Sequence, residues 1–185
     1  MSATLTRLAH EGYGQLELNQ VAFRRDGRIE AQCKIADGID YLENGMLLAV
    51  DKVNKEVKYP TVGDKLIGLN YTTEHMYDER KVGLKDFRLE KGTFYPRIGY
   101  LAVGERFTTN CVSYMKGDTD TDANAFADED AIAKAVAAGT VFGCESADGT
   151  IKLVKDLATA TIKLQAVEYT TMPDGQAAIK FVVIA

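Results

Sequence analysis

The sequence predicts a mainly β protein: a β-barrel or β-sandwich of short antiparallel strands with one α-helix at about 129–138. Three observations carry this. Short runs of alternating apolar and polar residues are bounded by Asp-Gly, Asn-Gly and Pro-containing turn signals at strand-like intervals. A glycine corner occurs twice, as Val62-Gly63-Asp64-Lys65 and as Val103-Gly104-Glu105-Arg106. Only one segment, Asp128-Glu129-Asp130 through Gly139, carries acids at its first turn and glycine just past its last, which is helix punctuation.

Residues 1–14 hold Gly12 and Gly14 without a clear period and read as a candidate N-terminal arm or a first short strand. Residues 15–185 read as a single β-rich domain, with an acidic loop and the helix inserted at 117–139. Leu16, Leu18, Val21 and Phe23 alternate with a slip near Gln20, the mark of a bulge. Arg25-Asp26-Gly27 predicts a hairpin into Ile29–Ile35, the most regular amphipathic alternation in the chain. Met46–Asp51 and Glu56–Tyr59 flank Asn54-Lys55 as a second hairpin, ended by Pro60. Residues 70–92 read as a long exposed loop, with a short helical turn at Leu84, Phe87 and Leu89. Arg97–Val103 and Arg106–Met115 follow as strands around the second glycine corner. After the helix, Thr140–Cys144, Ile151–Val154, Ala160–Tyr169 and Ala178–Ile184 complete the strand set.

The chain has 185 residues and a formal charge of −5, enough for one substantial domain and too acidic for a general nucleic-acid binder. There is no apolar leader and no long apolar run, so neither a signal peptide nor a membrane partner is expected. Cys33, Cys111 and Cys144 are odd in number and widely spaced, which predicts reduced, buried thiols. His10 and His75 have no nearby cysteine or histidine at ligand spacing, which argues against zinc.

No nucleophile–base motif, phosphate-cradling loop or other catalytic signature is present, and no catalytic or cofactor-binding residue is assigned. The acidic loop carries the one metal pattern. Asp118, Asp120, Asp122, Asn124 and Glu129 stand at positions 1, 3, 5, 7 and 12 of a calcium loop. Against calcium, Ala123 occupies the position that requires glycine, and a strand rather than a helix precedes the loop. A solvated loop running into a helix cap accounts for the same residues. The aromatic-rich stretch 59–100 reads as β core plus a subunit interface, because no basic track accompanies its rings. Tyr71, His75, Tyr77, Arg80 and Phe87 are the candidate partner-facing residues, within or beside the long loop.

The run Glu43-Asn44-Gly45-Met46-Leu47-Leu48-Ala49-Val50-Asp51, then Val57-Lys58-Tyr59-Pro60 and Ile67-Gly68-Leu69, resembles small β-barrel proteins that decorate tailed-phage heads. Tyr95-Pro96-Arg97-Ile98-Gly99 through Phe107-Thr108-Thr109-Asn110 is similar to structural proteins of phage head gene clusters. The resemblance covers about residues 40–112. It implies a non-enzymatic capsid decoration (cement) protein of the virion, made in the host cytoplasm. Its partners would be the major capsid protein and itself, as a homo-oligomer with a trimer favoured. No functional residue carries over. Two alternatives accompany it: a phage tail-tube or head-completion protein, and a ligand-binding or enzymatic β-barrel using loop 70–95.

Overall fold

A computed structural model describes residues 4–72, 84–117 and 122–185. Among these residues the chain is mainly β, with several antiparallel sheets and one α-helix, α1 (Glu129–Ala137). The larger sheet runs in the order β1 (Thr4–Arg7), β12 (Val112–Lys116), β15 (Ile151–Val154), β14 (Phe142–Glu145), β16 (Leu164–Thr171), β17 (Ala177–Val183), β11 (Arg106–Thr109), β2 (Leu16–Gln20). A short β13 (Ala125–Phe126) joins it on β12. The smaller sheet runs β3 (Ile29–Glu30), β10 (Ile98–Gly99), β8 (Ile67–Asn70), β6 (Leu47–Asp51), β7 (Glu56–Lys58), β4 (Lys34–Ile35). A third pair joins β5 (Tyr41–Leu42) to β9 (Leu89–Glu90).

Both large sheets are rolled, and chain connectivity requires it. β3 and β4 lie at opposite ends of the smaller sheet, yet only residues 31–33 separate them. A flat sheet would hold them about 24 Å apart, five spacings of about 4.8 Å. Four Cα steps reach only about 14 Å. The same holds in the larger sheet. β11 and β12 lie five places apart but are joined through Asn110 and Cys111 alone. Each roll is thus drawn together by the chain rather than by a hydrogen-bonded ring, and neither is a closed barrel.

The sequence pattern explains which walls are shared. Leu47 and Ala49 point into the main core with Phe107, Ile151, Leu164 and Phe181, while Leu48 and Val50 point into the second core with Ile35, Val57, Leu89 and Ile98. β6 is therefore covered on both faces, and its run of consecutive apolar residues follows from that. Helix α1 closes the larger roll. Asp128 caps it, accepting from Ala131 N, and it buries Ile132 and Val136 against β16.

Three predicted strands are corrected. Arg97–Val103 is strand only at β10, which pairs with β3 and β8 and not with β11 across the second glycine corner. Ile29–Ile35 does not run as one strand and does not pair with β2. Glu30 Oε1 accepts from Ala31 N and Gln32 N at 3.0 and 2.9 Å, which turns the chain away from the ladder after two residues. Arg25-Asp26-Gly27 carries the chain between sheets instead of closing a hairpin, and Phe23 plugs the crossing beneath Gly99, where a Cβ would lie 2.7 Å from its ring. Arg106–Met115 likewise breaks at Asn110, whose Oδ1 is taken by Gln15 N at 2.6 Å. The predicted turn near Leu84 is a short 3-10 helix, Leu84–Asp86. The remaining hairpins, β6–β7, β14–β15 and β16–β17, close at the turns their sequences specify.

Core and surface substitutions should separate cleanly. Phe181, fully buried, should lose about 3–5 kcal/mol on replacement by alanine. Val62, fully exposed, should change stability by no more than about 0.5 kcal/mol. Urea unfolding of the two variants measures both.

Candidate functional site

The sequence-predicted partner residues divide three ways. Tyr71 is only 2% exposed, its ring packed on Phe23 at a centroid distance of 4.7 Å, so it is core and not a partner-facing surface. Phe87, 8% exposed, is likewise core, inside the second cluster. Tyr71 follows β8, which is buried throughout, and Phe87 packs into the second cluster beside Leu89. His75, Tyr77 and Arg80 lie outside the described residues. Among the described residues the large exposed aromatics are Phe94 and Tyr95, 62% and 60% exposed. They stand in the sequence only as two members of a tyrosine-rich stretch, and nothing in their spacing separates them from the buried rings.

Phe94 and Tyr95 border a cleft of about 510 Å³, lined also by Lys34, Ile35, Lys91, Gly92 and Thr93. The turn that presents them is held rigidly. Lys91 N donates to Asp40 O, Thr93 N to Glu90 O and Thr93 Oγ1 to Glu90 O, at 2.8, 3.2 and 2.6 Å. The opposite wall is β4, an edge strand.

The calcium pattern is only partly within the described residues, since Asp118 and Asp120 fall outside them. Its remaining members serve other partners. Asn124 Oδ1 accepts from Lys155 N at 2.8 Å, and Asp122 Oδ1 accepts from Asn124 N at 2.8 Å. Glu129 Oε1 accepts from Ala9 N at 2.8 Å and its Oε2 from Tyr169 OH at 3.0 Å. Among the described residues no group of three metal-binding side chains comes together.

The densest polar chemistry lies beneath the N-terminal segment. Arg7 donates to both oxygens of Glu43, Nη1 to Oε1 at 2.9 Å and Nη2 to Oε2 at 2.8 Å, and Gly14 N adds a third bond at 2.6 Å. The Glu43 side chain is 3% exposed and that of Arg7 29%. Burial alone would lower the Arg7 pKa, but the bond to Glu43 and the nearby negative groups outweigh it and raise the value. Residues 8–15 continue as a strap across the molecule. Ala9 N reaches Glu129, Glu11 N reaches Gln176 Oε1 at 2.7 Å, Tyr13 N reaches Lys85 O at 2.7 Å, and Gln15 Nε2 reaches Asp174 at 2.8 Å. Gly14 cannot be larger, because a Cβ would stand 2.6 Å from Asn44 O. Asn44, fully buried, has no partner for either amide atom among the described residues.

The two glycine corners share one device. Asp64 N donates to Thr61 O and Glu105 N to Ala102 O, both at 3.1 Å. Each acid then accepts from the amide three residues back, Thr61 N at 2.8 Å and Ala102 N at 2.9 Å. Gly63 and Gly104 supply the left-handed φ of +96° and +89° between them. Glu105 also accepts from Ala22 N at 2.8 Å and from Arg28. Desolvation opposes its charge, yet Arg28 and the two amides prevail and hold its carboxyl below the usual range.

The three cysteines are free thiols, with Cys33 and Cys111 buried and Cys144 partly so. Burial pushes the Cys111 thiol far up and that of Cys144 up to about 11, so both stay protonated and unreactive near neutral pH.

Replacing Arg7 with alanine should destabilise the fold by about 3 kcal/mol, because it leaves the Glu43 carboxylate buried and unpaired. Urea unfolding measures the loss. The Glu105 carboxylate is bound more tightly as the anion in the fold than in the unfolded chain. Its stabilisation is therefore complete above the ordinary glutamate range and is lost as the pH falls through its depressed folded pKa. Glu105→Gln should flatten the acid limb of stability below about pH 4.5, read as urea midpoints across a pH series.

No helix among the described residues is long and apolar enough to cross a membrane. In comparisons with known protein families, curated proteins and solved structures, this chain matched none.

Proposed function

We propose that this chain is a non-enzymatic structural protein of a tailed-phage virion that binds the outside of the capsid and stabilises it, acting as a homo-oligomer with a trimer favoured. The observation that carries the reading is the pairing of a heavily cross-linked β scaffold with exposed aromatics on a rigid turn. Arg7, Glu43, Gln15, Asn70 and Asn110 spend their polar groups on holding segments of the chain to one another. Phe94 and Tyr95 are 62% and 60% exposed. Exposed aromatics on a preorganised turn are the type of anchor that dominates protein interfaces, because little side-chain entropy is lost on binding.

The phage-head resemblance of residues 40–112 supplies the identity of that surface. The net charge of −5 fits a protein kept outside a shell packed with DNA, since like charge opposes adventitious binding to the genome. A capsid offers many equivalent sites, so an oligomer of weakly binding subunits gains affinity through effective concentration.

Co-sedimentation with purified expanded capsids tests the reading. The protein should pellet with capsids at a saturating ratio, raise their resistance to heat or chelator, and run as an oligomer in sedimentation velocity. A monomer that leaves capsids untouched removes it. Rings with an open lumen in electron micrographs would favour the tail-tube alternative instead.

A further inference from the structure

We propose that the cleft beside β4 is the docking site for an extended, acidic segment of a partner protein. In this arrangement Phe94 and Tyr95 hold an apolar side chain of the segment, and Lys34 and Lys91 receive its carboxylates.

Charge is the first argument. In a chain of net charge −5, the charged side chains lining this cleft are two lysines, Lys34 and Lys91. Each has an acidic neighbour outside the lining. Lys34 Nζ meets Glu56 at 3.1 Å and Lys91 Nζ meets Asp37 at 2.5 Å. Neither pair is buried: the side chains of Lys34 and Glu56 are 59% and 27% exposed, and those of Lys91 and Asp37 are 38% and 92% exposed. Ion pairs this accessible contribute little, so exchanging their carboxylates for those of a partner costs little. The lysines are thus held in place at the rim without being committed to their present partners.

Shape is the second. Lys34 N donates to Lys55 O and Ala36 N to Val57 O, both at 2.9 Å. Main-chain groups alternate sides along a strand, so those of Ile35 turn away from β7. The side chain of Ile35 is packed in the second core. The cleft therefore sets an aromatic wall and two lysines beside the last strand of the smaller sheet, which suits an extended peptide better than a helix.

The source of the segment rests on the function proposed above, in which it belongs to the capsid protein. The chemistry of the cleft does not, and the two can fail separately. The probe is a capped hexapeptide alternating glutamate with valine, titrated into the isotope-labelled full chain, with a lysine–valine peptide as control. Amide resonances of 34–36 and 91–95 should shift saturably with the glutamate peptide alone. Phe94→Ala with Tyr95→Ala, and separately Lys34→Glu with Lys91→Glu, should each weaken binding at least tenfold while leaving the melting temperature near that of the parent, since these side chains lie at the surface. Shifts confined to another surface, equal binding of the lysine peptide, or affinity unchanged in both double variants would overturn the assignment. Capsid binding that survives both double variants would also overturn it. Peptide binding without capsid binding would sustain the cleft and remove the capsid reading.

Discussion

The Glu43 carboxylate is the point at which the two rolled sheets and the N-terminal strap meet. It sits in the turn between β5 and β6 and receives Arg7 from the edge strand of the larger sheet. It also receives Gly14 N from the strap, while its main-chain carbonyl accepts Asn70 Nδ2 from β8 at 2.8 Å. A carboxylate with three charge-assisted or amide donors satisfies its burial, and satisfied burial is what makes such a pair specify one arrangement. Arg7, Gly14 and Asn70 come from β1, the strap and β8, so the relative positions of the three are fixed together. Without Arg7, the same carboxylate would be a buried liability.

The strap extends this constraint along the surface. It crosses the 3-10 turn at Lys85, the β16–β17 hairpin at Asp174 and Gln176, and the first turn of α1 at Glu129. These contacts reach elements that the ladders leave at the periphery. Rigidity there bears on the proposed docking site, because the cleft at Phe94 lies on a loop hung between β9 and β10, two of the shortest strands. A loop so placed is well ordered only if the strands beneath it are. The glycine corners act at a smaller scale, each closing its own turn with an acid that binds back three residues.

What was legible in the sequence was local. Alternation placed the strands of the C-terminal third, Asp128 and Gly139 bounded the helix, and the repeated Val-Gly-acid-base corner marked two turns of the same geometry. What was not legible was long-range. Arg7 and Glu43 lie 36 residues apart with no motif joining them, and a lone arginine near a terminus carries no signal of burial. The interruption at Glu30 was invisible because its alternation with Ile29 and Ala31 is that of a good strand, and only the side-chain bond to the following amides breaks it. The division of the aromatics was hidden for a similar reason. Tyr71 and Tyr95 have the same intrinsic preference for a half-buried surface, and the roll of the smaller sheet decides which one faces inward.

The strap and the Arg7–Glu43 pair belong to the global fold rather than to a frayed terminus. Native-state hydrogen exchange at low denaturant tests it most directly. The amides of Leu8, Gly14 and Gln15, bonded to Val112 O, Glu43 and Asn110, should exchange with the same free energy as amides of β17 and with the same denaturant dependence. Exchange of these three through a local opening, at lower free energy and without denaturant dependence while β17 stays protected, would contradict the account.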